Sequence, residues 1–269
     1  MYLKTKKKFG IIGFPLKNPR SIKIWKSFFK KNKIFAEMLP FEIETKKINK
    51  FYSSILKDKN FYAAAVTMPY KKYFFKKVTI KDKLTRYAKT VNLILKSKKK
   101  IYGFNTDILG AIESIPKKAE NIAIIGQGGT GQAILNVLFN IKKKSKFYLI
   151  TSKKNYFQKI KHLKNHKKRI KIFTQINFDV LKNIDLIINC TPLGSDLKKK
   201  YVNKSPIKEN IFKLINKKTF IFDVIYKPKK TKLFFLSKKY KIRYSNGLKM
   251  NTIQAESALR ILSRELELN

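Results

Sequence analysis

The residues whose spacing speaks most directly of chemistry are glycines. Gly126, Gly128 and Gly131 stand at G-x-G-x-x-G spacing within Gly126-Gln127-Gly128-Gly129-Thr130-Gly131. The apolar run Ile122–Ile125 precedes them, and a helix-compatible run from Gln132 to Phe139 follows. Strand, tight turn and helix in that order make a site for the pyrophosphate of a dinucleotide. The first glycine permits the sharp turn, the second lets backbone approach the phosphates, and the third lets helix and strand pack closely. The helix N-terminus then directs free N–H groups and the positive dipole end at the anion. The 21 uncharged residues from Asn121 to Ile141 also have the length of a membrane span, but four glycines, Gln127, Gln132 and Asn136 in the middle argue against lipid. A second spacing of interest, His162 and His166 at i, i+4, suits zinc, but no third ligand lies near, so no metal is expected and solvated surface is the better reading.

The elements that must position such a turn are legible on both sides of it. Residues 9–15 read as a buried strand, followed by a helix from Ile22 that Ser21 can cap. Strands are expected over 35–43 and 62–68, the second stopped by Pro69, with a helix around 48–56 between them. A short helix over 71–77 comes next, then a capping box from Thr79 to Asp82 opening a helix through Lys89. Strands at 91–95 and 100–104 close this half. After the glycine turn, strands are expected at 147–151, 170–174, 185–190, 220–225 and 241–244, with helices near 231–239 and 250–266. Strands alternating with helices on both sides of the turn indicate two α/β domains.

Composition sets the bounds. The chain has 269 residues, 43% of them hydrophobic with 21 Phe, enough for real cores and not the composition of a disordered chain. The formal charge of +47 raises nucleic acid as a partner, but only Arg20, Arg86, Arg169, Arg243, Arg260 and Arg264 among the 63 basic residues carry the bidentate fork that readers of nucleic acid favour. The lysines are spread along the whole chain, so no specific nucleic acid binding is expected. A single cysteine, Cys190, excludes an internal disulfide and suits a reducing cytoplasm, and the N-terminus lacks a signal-peptide pattern.

Eight short segments, in order, carry a family resemblance. They are Gly13, Pro15 and Ser21; Val66, Thr67, Pro69 and Lys71; Val91-Asn92; Gly103-Phe104-Asn105-Thr106-Asp107; the glycine turn; Asn189, Thr191, Pro192, Leu193 and Gly194; Asp223, Val224, Tyr226 and Pro228; and Asn246, Gly247, Met250, Gln254 and Ala255. Together they resemble the shikimate dehydrogenase family from end to end. The resemblance implies a two-domain α/β fold: an N-terminal substrate domain, residues 1–107 completed by 247–269, and a Rossmann-like NADP-binding domain, residues 108–246, with the C-terminal helix returning to the first domain. The implied reaction is the reversible NADPH-dependent reduction of 3-dehydroshikimate to shikimate, a step toward chorismate and the aromatic amino acids. The resemblance places proton transfer on Lys71 and, on Asp107, orientation of a substrate hydroxyl and pairing with the Lys71 ammonium. It makes Thr67, Asn92 and Gln254 partners of the ring hydroxyls and Ser21 and Tyr226 partners of the carboxylate.

Cofactor contacts are implied at Gly126, Gly128, Gly129, Thr130, Gly131, Thr151, Ser152, Lys153, Thr191 and Gly247. An NAD-specific site would carry an acid at the end of the second strand; Ile150-Thr151-Ser152-Lys153-Lys154 has none, and its serine and lysines suit the 2′-phosphate of NADP. Partners are then the small-molecule substrate, with no membrane, and a homodimer left open. The chain departs from the family pattern at Pro19 for a serine, Trp25-Lys26 for His-Asn, Ala65 for an asparagine and Ile108 for a glycine. These departures motivate the alternative of a degenerate or repurposed relative, a quinate/shikimate-type dehydrogenase or an NADP-binding protein with little activity.

Overall fold

The structure is a computed structural model that describes residues 6–16, 19–98, 100–151, 168–174 and 181–266. His162, His166, Ser152 and Lys153 lie outside the described residues. Contacts divide the chain into two units, residues 1–109 with 253–269 and residues 110–252.

The first unit is built on a six-stranded sheet of β1 (Lys7–Gly13), β2 (Ala36–Glu42), β3 (Phe61–Val66), β4 (Ile80–Lys81), β5 (Leu93–Ser97) and β6 (Lys100–Phe104), in the order β2-β1-β3-β5-β6-β4. β1 runs parallel to β2 and β3, while β3, β5 and β6 are antiparallel in turn. Helices α1 (Arg20–Lys31), α2 (Ile48–Lys57), α3 (Lys71–Lys77), α4 (Lys83–Ala88) and α5 (Thr106–Glu113) connect the strands. The two faces of the sheet bury different clusters, as the period-2 side-chain alternation of strands requires. Ile12, Ala64 and Ile94 join Phe74 of α3 on one face, whereas Phe9, Ala63 and Leu93 join Trp25 and Phe29 of α1 on the other.

Two helix starts differ from expectation. Ser21 does not cap α1; Pro19 holds the cap position, where its fixed φ suits entry to a helix, and its carbonyl accepts from Ile22 N–H. Thr79 opens no capping box. Ile80 and Lys81 pair with Tyr102 and Gly103 as a short strand, and the carboxylate of Asp82 accepts from Thr85 N–H to cap α4.

The second unit holds β7 (Asn121–Ile125), β8 (Lys146–Ile150), β9 (Ile170–Phe173), β10 (Leu186–Asn189), β11 (Phe220–Asp223) and β12 (Arg243–Asn246) in the order β12-β11-β10-β7-β8-β9. All its pairings are parallel. Numbered within the unit, that order is 3-2-1-4-5-6, the doubly wound dinucleotide arrangement, whose direction of winding reverses between β7 and β10. Strands buried on both faces need continuous apolar runs, and Ile122, Ala123 and Ile124 of β7 and Leu186, Ile187 and Ile188 of β10 are fully buried. Helices α6 (Gly129–Ile141), α7 (Glu209–Phe212), α8 (Lys232–Lys239) and α9 (Leu248–Glu265) follow, with Thr231 capping α8 through Phe234 N–H. The greater part of α9 belongs to the first unit, where Ala258 and Leu262 pack into the cluster around Phe9.

One arginine has a structural task here. The Arg169 guanidinium donates to the carbonyls of Phe139, Lys142 and Ser145 around the C-terminal end of α6 and lies 4.2 Å from the centre of the Phe139 ring. A cation on the orphan carbonyls of a helix end is favoured by both hydrogen bonding and the dipole. Arg169→Ala is expected to lower stability by about 2 kcal/mol, read as a fall in the urea midpoint at unchanged slope. An unchanged midpoint would show the contacts to be idle.

Candidate active site

Lys71 opens α3, directly after the strand β3 and Pro69. Asp107 lies in the first turn of α5, directly after β6. Chain positions 36 apart are thus brought to one end of one sheet, and Lys71 Nζ stands 2.5 Å from Asp107 Oδ2. Both side chains keep partial access to solvent, 33% for Lys71 and 27% for Asp107, so the pair can be reached by a substrate. The positive end of the α5 dipole also favours a carboxylate at Asp107.

A buried hydrogen-bond network holds this pair. Asn92 donates from Nδ2 to Thr106 Oγ1 and accepts Thr106 N–H at Oδ1, at 2.9 and 2.8 Å. Asn105 caps α5 by accepting Ile108 N–H and donates from Nδ2 to Thr90. Val91 N–H donates to the Lys71 carbonyl, and Val66 N–H to the Asn92 carbonyl. Thr67 is the residue after that contact, its N–H donating to Ile12 O. A side chain at Gly13 would run into the Thr67 methyl, so Gly13 is required by close approach. Lys71, Asp107, Asn92 and Thr67 therefore form one connected group. Thr90, Asn105 and Thr106 are positioning residues that sequence reading passed over; the signal available was their place in or beside the Asn105-Thr106-Asp107 run.

The other substrate candidates are less tightly tied. Ser21 lies in the first turn of α1, and its Oγ is buried with no hydrogen-bond partner among the described residues. A buried hydroxyl left in that state costs free energy. Gln254 lies half-buried on α9 in the same unit, and Tyr226 belongs to the second unit. Among the departures, Trp25 is a core residue, edge-on to Phe9 at 6.0 Å and to Phe29 at 6.4 Å between ring centres. Ile108 is buried, and Ala65 sits on β3 opposite Leu93. Glu42, unremarked in the sequence, accepts Leu16 N–H at 3.0 Å and so fixes the turn that follows β1.

In the second unit, each glycine of the turn does a different job. Gly126 has φ +88°, the left-handed region where a side chain is strained. A Cβ on Gly131 would collide with the Gly126 carbonyl, so helix and turn touch there. Gly128 and Gly129, by contrast, face space in which no atom of the described residues lies within 4 Å of a Cβ on either. Gly128 caps α6 without a side-chain hydrogen bond, so the first N–H groups of the helix look into that space. This cradle fits a dinucleotide pyrophosphate. Thr130 is exposed in the first turn, and Thr151 directly follows β8 with its N–H on Phe173 O. Thr191 follows β10 and packs against the turn, its nitrogen 2.9 Å from the place of a Gly126 Cβ. Gly247 approaches the Val224 backbone too closely for any side chain and donates its N–H to Ile225 O. Burial, and then the Asp223 charge, push the Cys190 thiol up, which favours its neutral form.

Among the described residues, no cluster of three or more His, Cys, Asp or Glu could hold a metal ion, and no helix is long and apolar enough to cross a membrane.

Comparison with known proteins yields concordant matches. Residues 11–94 match the family described as the shikimate dehydrogenase substrate binding domain. A shikimate dehydrogenase (NADP+) of Pelagibacter ubique is 32% identical over 262 residues, covering 95% of this chain and 93% of the relative. One from Clostridium botulinum is 30% identical over 259 residues, covering 93% and 94%. The crystal structure of shikimate dehydrogenase from Aquifex aeolicus superposes with a TM-score of 0.79 at 25% identity, covering 97% of this chain and 94% of that one.

Proposed function

The chain belongs to the shikimate dehydrogenase family, and we propose that it catalyses the reversible NADPH-dependent reduction of 3-dehydroshikimate to shikimate with Lys71 and Asp107 as its catalytic pair. The observation that carries the residue assignment is the 2.5 Å Lys71–Asp107 contact, partly open to solvent and held by a buried network. NADPH, when bound, supplies the hydride that reduces the ketone carbon. Reduction leaves negative charge on the ketone oxygen, and the chain must supply a proton there. Lys71 Nζ, a three-donor ammonium, delivers it, and in the reverse direction takes the proton of the substrate hydroxyl. Asp107 accepts from that ammonium and from a neighbouring hydroxyl of the substrate, which fixes the orientation of the ring relative to the proton donor.

Thr67 and the second N–H of Asn92, the one not donated to Thr106, bind ring hydroxyls. Gln254 contributes from α9. Ser21 and Tyr226 bind the carboxylate, as the family resemblance implies. For the cofactor, Gly128, Gly129, Thr130 and the α6 N-terminus hold the pyrophosphate, with Gly126 and Gly131 shaping the turn, and Thr191 and Gly247 line the same end of the sheet. Thr151, Ser152 and Lys153 meet the 2′-phosphate, where the lack of an acid selects NADP over NAD.

The deciding assay is reduction of NADP with shikimate, with quinate and without substrate, each repeated with NAD. Shikimate- and NADP-dependent turnover is the expected result. Failure to turn over shikimate, in protein that binds NADPH, would sink the proposed activity and leave a cofactor-binding relative.

A further inference from the structure

Asp223 is fully buried at the end of β11 in a chain with 63 basic residues, yet no Lys or Arg among the described residues pairs with it. A buried carboxylate without a cation is costly unless donors surround it. Four do. Oδ1 accepts from Asn189 Nδ2 at 2.9 Å and from Ile225 N–H at 3.2 Å; Oδ2 accepts from the Thr231 hydroxyl at 3.0 Å and the Tyr244 hydroxyl at 3.1 Å. Burial pushes its carboxyl above the usual carboxylate range, and the four donors pull the other way.

The consequence runs outward through Asn189, its register partner on β10. An amide has one donating and one accepting end. Because Nδ2 faces Asp223, Oδ1 must face the other way, and there it accepts both Thr191 N–H at 2.9 Å and the Thr191 hydroxyl at 2.7 Å. Thr191 is the residue packed against Gly126 of the glycine turn. On the other side, Ile225, whose N–H Asp223 holds, accepts the N–H of Gly247. The relay ends at the switch between β7 and β10, where sheets of this order bind their ligands.

We infer that Asp223 is a positioning residue for the nicotinamide cofactor, acting through Asn189 to hold Thr191 against the glycine turn and through Ile225 to hold Gly247 at the same end of the sheet. This rests on the NADP reading of the second unit. Asp223 touches no reacting atom; its work is to select one orientation of the Asn189 amide. Without an acceptor at 223 the amide can invert, and its NH2 would then face the Thr191 N–H, a repulsive contact that displaces the loop.

The test is NADPH titration by fluorescence on the full chain, set beside the shikimate KM at saturating NADP and the thermal midpoint. Asp223→Ala and Asn189→Ala are each expected to weaken NADPH binding about 10-fold with the shikimate KM within about 2-fold of wild type. Should Asp223→Ala fail to fold, Asn189→Ala breaks the same relay one step later. Asp223→Asn should rescue: its Oδ1 can still accept from Asn189 and Ile225, while its NH2 donates to the hydroxyls of Thr231 and Tyr244, which can accept. Tyr244→Phe should lower the midpoint and leave NADPH affinity unchanged. Folded alanine variants with wild-type NADPH affinity would overturn the inference, as would an equal loss in Tyr244→Phe, which would make the network merely structural. A wild-type chain that does not bind NADPH would overturn the functional reading instead.

Discussion

Lys71→Met lowers shikimate-dependent NADP reduction by about 10²–10⁴-fold, while NADPH affinity and the unfolding midpoint stay close to wild type. Methionine preserves the length and apolar stem of lysine and removes only the ammonium. The substrate oxygen then has no proton donor, and the barrier rises by the lost general-acid contribution. Stability should move little, because an ion pair that is about one-third exposed contributes modestly. Asp107 also keeps favourable surroundings without its partner, since it lies in the first turn of α5 at the positive end of the helix dipole. Asp107→Asn separates charge from hydrogen bonding: it keeps an acceptor for the substrate hydroxyl, loses the charge that holds the ammonium, and should also fall in kcat. Near-normal turnover by Lys71→Met in steady-state assays would remove Lys71 from the chemistry.

The second large effect is expected at Gly128. Gly128→Asp should weaken NADPH binding by about 100-fold or more and leave stability unchanged or slightly raised. The two effects have opposite signs for one reason. Gly128 is the cap residue of α6, with φ −74° and ψ −166°, a conformation open to any L-residue, and no atom of the described residues lies within 4 Å of a Cβ placed there. An aspartate there fits sterically, can accept from the free N–H groups of the first turn and complements the dipole, a gain of a few tenths of a kcal/mol over glycine. It thereby puts a negative charge in the anion cradle and occupies the donors that the pyrophosphate needs. Isothermal titration with NADPH, beside a urea melt, reads both halves. Wild-type affinity would show that the cradle holds no phosphate, and a large loss of stability would show that the space is not open.

What could be read from sequence was what is encoded locally. The glycine turn was legible because a positive φ at Gly126, a close approach at Gly131 and an open cap at Gly128 are demands met within six residues. The strands of the second unit were legible because parallel strands buried on both faces write themselves as apolar runs such as Ile122–Ile125 and Leu186–Ile188. Helix α8 was placed to within a residue because its cap, Thr231, is a local hydrogen bond.

Local signals misled where two partners competed for one segment. Thr79 read as the cap of a helix with Asp82 as its acid three residues on, and pairing of Ile80 and Lys81 with β6 moved the cap to Asp82. The cap position of α1 went to Pro19, which left the Ser21 hydroxyl without a backbone partner.

The tertiary structure alone decided what depends on strand register and long loops. It joined Asn92 to Thr106 across 14 residues and Asn189 to Asp223 across 34, and it gave the Lys71–Asp107 pairing that the family resemblance implied its 2.5 Å geometry. Sequence lists a polar residue such as Asp223 or Asn105 without its partners. A buried polar group takes its meaning from those partners, and only the fold brings them within hydrogen-bonding distance.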